Sequence, residues 1–104
     1  EMWVILNKTF MSIVENRDNK NELLVRSRVK GDIEKIFPDA EVIENNDVDY
    51  LFRAFLPRSQ VSEAIKKEVD MIDYDNFKNS VPKSDIKRLN SYMNVWNTLR
   101  HLQD

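Results

Sequence analysis

The chain has no cysteine, one glycine and one histidine among its 104 residues. Without a thiol there are no disulfides, no thiolate nucleophile and no cysteine-based zinc or iron–sulfur site. One glycine cannot build a glycine-rich phosphate loop. The single imidazole, His101, falls in the last turn of a predicted C-terminal helix, where a cationic side chain suits the helix dipole and needs no catalytic explanation. Metal motifs of the HExxH or DxDxDG type are absent. No apolar run approaches the length of about 18 residues that a membrane-spanning helix requires. The apolar stretch 2–6 is too short for a signal-peptide core and lacks a basic leader, and Met2 reads as the natural start with Glu1 ahead of it. The expectation is a cytoplasmic protein with no cofactor.

What the chain does contain is an ordinary globular balance, 41% apolar and 33% charged, with 16 basic against 18 acidic residues. A net charge of −2 with well-mixed signs argues against a dedicated duplex-DNA binder, which carries a basic excess. Eleven asparagines and nine lysines fit an AT-rich genome, that of a low-GC bacterium or its phage. The length suits one domain over residues 1–104, with a core that forms without metal or disulfide.

Hydrophobic periodicity predicts the elements. Residues 2–6 are continuously apolar and read as a strand covered on both faces. Strands follow at 10–15 and 23–29. In the second of these Leu23, Val25, Ser27 and Val29 face one way and Leu24, Arg26 and Arg28 the other. Asp32 reads as the N-cap of a short helix that buries Ile33, Ile36 and Phe37 and ends at Pro38. A short strand at 41–44 and a longer one at 50–56 come next, with Tyr50, Phe52, Ala54 and Leu56 on one face of the latter. Ser59 reads as the cap of a helix whose inner face is Val61, Ala64, Ile65, Val69 and Ile72, with Glu63 and Lys67 paired outside. A connecting segment spans 73–81, and a long last helix runs from about Ser84 to Leu102. This order predicts an α+β fold with a mainly antiparallel sheet of four to five strands, two to three helices and a long C-terminal helix.

Two groups of residues could carry binding chemistry. Arg26, Arg28 and Arg53 lie on strands and would converge on one side of the sheet if those strands are near neighbours. Guanidinium forks match the paired oxygens of carboxylates and phosphates. A solvated face with scattered ion pairs is the commoner reason for such arginines. The second group is Asp73, Tyr74, Asn76 and Lys78 in the connecting segment. There Asp73 or Asp75 would cap a turn, Tyr74 and Phe77 would anchor the loop, and Asn76 and Lys78 would face outward or toward a ligand. Phe52 and Phe55 could stack unpaired bases, although a small domain readily uses such rings in its core.

The stretches Met2-Trp3-Val4, Val25-Arg26-Ser27-Arg28, Gly31-Asp32-Ile33-Glu34, Tyr50-Leu51-Phe52-Arg53-Ala54 and Ile72-Asp73-Tyr74-Asp75-Asn76-Phe77-Lys78 carry a resemblance. The chain resembles a family of small bacterial and phage-borne hypothetical proteins of about its own length. That resemblance implies a domain outline and places the three arginines and the 73–78 loop in one shared design; it implies no activity. Phe52 and Phe55 around Arg53 depart from the Tyr and the smaller or basic residue of other members.

These features predict a non-enzymatic protein that binds a small anionic ligand, such as a nucleotide or nucleotide signal, through the arginines and the loop. The alternative is a phage-type inhibitor of a host defence protein, of the anti-CRISPR kind, touching its partner through the acidic stretch 41–49. A third reading is a small enzyme using Asp73, Tyr74 or Lys78. Trp96 and the apolar arc of the last helix suit a homodimer interface as well as docking within one chain.

Overall fold

The computed structural model describes residues 1–104, and the fold is α+β. It divides into two compact units, Glu1–Ile72 and Asp73–Asp104. The first holds β1 (Met2–Ile5), β2 (Phe10–Glu15), β3 (Glu22–Ser27), α1 (Asp32–Ile36), β4 (Ile43–Glu44), β5 (Phe52–Pro57) and α2 (Arg58–Asp70). The second holds the short α3 (Phe77–Ser80), α4 (Ile86–Leu99) and a closing 3-10 turn, Arg100–Gln103. No helix is long and apolar enough to cross a membrane.

All five strands join one antiparallel sheet in the order β1-β2-β3-β5-β4. Two consecutive hairpins lay down the first three strands. After α1 the chain returns to place β5 beside β3, and β4 takes the edge. Side chains alternate across a strand, so one sheet face gathers Met11, Ile13, Val25, Ala54 and Leu56. Ile33 and Phe37 at α1 and Val61 of α2 pack on that face and complete the core of the first unit.

The structure corrects several local expectations. β1 is an edge strand paired only with β2, and Met2 and Trp3 are exposed rather than covered, because an apolar run does not record which neighbours a strand will have. Asp32 is the first residue of α1, and the cap position belongs to Gly31. Pro57 rather than Ser59 precedes α2, which starts without a side-chain cap. Instead the Arg58 N–H donates to the Asn21 carbonyl at 2.7 Å, so a tertiary bond satisfies this helix end. Val69 and Ile72 are exposed, and the ion pair on α2 joins Lys66 to Asp70 at 2.9 Å.

Gly31 turns the chain from β3 into α1 at φ 93°, in the left-handed region. A Cβ there would meet no atom within 4 Å, so a side chain would cost only backbone strain. Gly31→Ala is therefore expected to lower stability by about 1–2 kcal/mol. Gly31→Asn should lose less, because asparagine tolerates this conformation. Urea denaturation of the two variants checks the order.

Candidate functional site

The sheet face opposite the core carries the strand arginines. Arg26 of β3 and Arg53 of β5 are register partners, so two guanidinium-bearing side chains stand side by side across adjacent strands. Like charges placed directly opposite are destabilising unless something compensates. Part of the compensation is Tyr50, just before β5. The Cζ atoms of Arg26 and Arg28 lie 4.6 and 4.1 Å from its ring centroid, and the ring is only 5% exposed. Arg28 also donates from Nη1 to the Asp49 carbonyl at 3.0 Å, fixing the segment that carries the tyrosine.

A carboxylate occupies this cluster. Glu1 Oε2 accepts from Arg26 Nη2 at 3.0 Å, from the Tyr50 hydroxyl at 3.4 Å and from Ser12 Oγ. Arg26 Nη2 also donates to Ser12 Oγ at 2.8 Å, which orients the hydroxyl toward the carboxylate. The Glu1 carboxyl is held below its ordinary pKa, first by the Ser12 hydrogen bond, with Trp3 and the Arg26 charge adding to it and desolvation opposing. Three donors around one oxygen make an oxyanion cradle. The Nε atoms of Arg26 and Arg53 are buried and have no hydrogen-bond partner, an unusual cost for guanidinium donors.

The four loop residues belong to the second unit. Asn76, not Asp73 or Asp75, caps α3: its Oδ1 accepts from the Asn79 N–H at 3.2 Å. Phe77 joins this segment to α4, and Tyr74 packs on Phe77. Their rings meet edge to face at 5.9 Å, and Phe77 lies 5.9 Å from Tyr92 of α4. Asp73 is exposed. Asp75, Asn76, Phe77 and Lys78 line an open cleft of about 460 Å³ with Met93 and Trp96 of α4, where Arg100 Cζ lies 5.3 Å from the Trp96 ring. At the start of α4, Asp85 caps the Arg88 N–H and accepts from Arg88 Nε at 2.8 Å.

The alternation of β3 foretold the outer-face position of Arg26; the strand ends at Ser27, short of Arg28, which joins Arg26 at the Tyr50 ring. Ser12, Glu1 and Tyr50 were not foreseen as parts of the cluster. Only the strand period at 10–15 hinted at Ser12, which falls out of step with Met11 and Ile13. His101 pairs with Asp104 at 3.0 Å on the exposed terminal turn. Comparison of the chain with protein-family models, curated proteins and solved structures finds no match, so function is read from these residues themselves.

Proposed function

We propose that this is a non-enzymatic binding protein that recognises an anionic ligand of the nucleotide class through Arg26, Arg28 and Arg53. The observation that carries the reading is the cradle of Ser12, Arg26 and Tyr50 around the Glu1 carboxylate. Donors that hold one oxyanion from within the chain suit a phosphate oxygen from outside it. Arg53, the register partner of Arg26, adds a second guanidinium on the same face. In the second unit Lys78 and Asn76 beside Trp96 offer a cation, an amide and a ring to a ligand of the same class.

A protein partner is the second reading. Exposed Ile43 within the acidic stretch 41–49 favours it, since a large apolar side chain in solvent among charges is typical of contact surfaces.

Thermal unfolding against a panel of mono-, di- and cyclic nucleotides tests the first reading. A ligand at a hundredfold its Kd should add about 2.7 kcal/mol to stability. Arg28→Ala removes a charge from the edge of the cluster and leaves the core intact, so its affinity should fall about tenfold or more with little change in unliganded Tm. Equal affinity in that variant would remove the arginine cluster from the reading. A stoichiometric protein captured from a host lysate, with no response to nucleotides, would favour the second.

A further inference from the structure

The register places five side chains in one line across the whole sheet: Trp3, Ser12, Arg26, Arg53 and Ile43. A neighbouring line on the same face runs Val14, Leu24, Phe55. Phe10 meets Trp3 edge to face at 6.2 Å. A solvated sheet face normally alternates into small polar and charged residues. This one leaves Trp3 57%, Phe55 47% and Ile43 49% exposed, while the rings of Phe37 and Phe52 are buried in the core. Solvent-facing aromatics around a group of arginines are arranged for contact, because they contribute nothing to the core they turn away from.

Trp3 on β1 and Phe55 on β5 are three strand spacings and two residues of register apart, about 16 Å at about 4.8 Å per spacing and about 3.4 Å per residue. Ser12 and Arg26 lie between them, and Arg53 stands two residues from Phe55 on the same strand. Cationic donors at the centre and stacking surfaces to either side match a polymer that alternates phosphate and base. A single nucleotide would satisfy the arginines and reach only one ring.

We propose that this sheet face binds single-stranded nucleic acid, with bases stacked on Trp3 and Phe55 and the intervening phosphates held by Arg26 and Arg53. The proposal rests on the reading of the arginine cluster as an anion site, where a phosphate oxygen would take the place of the Glu1 carboxylate. A duplex does not meet the geometry, because its bases hide their faces from the rings. A chain of net charge −2 also lacks the general attraction that duplex binders use, so binding here is local and involves few phosphates.

Fluorescence anisotropy of the full chain with labelled oligothymidine and oligouridine tests this, with the matching duplex and mononucleotide as comparators across a salt series. Single strands should bind more tightly than either comparator. Trp3→Ala and Phe55→Ala should each weaken them about tenfold, the usual scale for one lost base–ring stack. Both side chains are half exposed, so thermal unfolding should change little. Arg53→Gln should reduce the salt slope by about one. If the two aromatic variants bind as the parent does, or if the mononucleotide binds as tightly as the strand, this inference fails and the arginine anion site stands. If neither strands nor nucleotides bind, both fail. Binding of an acidic protein to this face in place of nucleic acid also overturns it.

Discussion

Replacing Asp32 with alanine is expected to destabilise the protein by about 2–4 kcal/mol, a large share of what a small domain has. The side chain is completely buried. Its Oδ2 accepts from the Phe10 backbone N–H at 3.1 Å, and its Oδ1 pairs with Lys35 Nζ at 3.3 Å. Its own carbonyl accepts from Thr9 Oγ1 at 2.9 Å, and Lys35 reaches on to the Lys8 carbonyl at 2.8 Å. The carboxylate thus ties the end of the β1–β2 hairpin to the start of α1. Alanine would leave the Phe10 N–H without its acceptor and Lys35 without its counter-charge. Lys35 is half exposed, so most of the loss comes from the part-buried Phe10 N–H rather than from the ion pair. Asp32→Asn keeps an acceptor for Phe10 and should lose distinctly less. Urea midpoints at unchanged m-value measure both variants. A loss below about 0.5 kcal/mol for alanine would mean that this carboxylate does not hold the hairpin.

Asp32 also shows where sequence reading stops. An aspartate ahead of an apolar helical stripe looks like an N-cap, and the helix does begin there. Its oxygens, however, serve Phe10, 22 positions back, a partner that no local pattern discloses. Arg58 repeats the lesson, since its N–H is satisfied by the Asn21 carbonyl at the end of the neighbouring strand, a partner distant in sequence. Where structure follows from period alone, the sequence was readable. β2 has the bounds its alternation predicts, and the faces of β3 and β5 alternate as read. The five-residue α1 ends before Pro38, as expected of a residue that cannot continue the ladder.

The candidate site was half legible for the same reason. Alternation put Arg26 on the outer face, but its pairing with Arg53 depends on β3 lying next to β5, a long-range choice of topology. Alternation puts Tyr50 on one face with Phe52, Ala54 and Leu56. It is buried, yet it is buried against Arg26 and Arg28, because β5 begins only at Phe52 and the strand period does not reach it. The pair of candidate stacking rings also separates. Phe52 fills the core and Phe55 faces solvent, as residues of opposite parity on one strand must.

Phe37→Ala should have the largest effect on stability. The ring is 2% exposed and closes α1 over the sheet, with its N–H donating to the Ile33 carbonyl at 2.8 Å. Its core partners include Met11, Val25, Ile33 and Phe52. Truncating such a ring removes its transfer energy and leaves a cavity that the rigid sheet cannot fill, a loss of about 3–5 kcal/mol. A domain of this size has about 5–15 kcal/mol in all, so the variant should be partly unfolded at physiological temperature. Phe37→Leu keeps most of the volume and should lose only about 1–2 kcal/mol. The contrast bears on function, because the core and the arginine face are the two sides of one sheet. Phe37 belongs to the core on the other side of the sheet from the arginines, so any effect on anion binding must come through the register that aligns Arg26 with Arg53. Binding per folded molecule should therefore match the parent in Phe37→Leu, while total binding in Phe37→Ala should fall in step with the folded fraction measured by circular dichroism. A Phe37→Leu protein that is fully folded but has lost its anion affinity would show that the site depends on more than the sheet register.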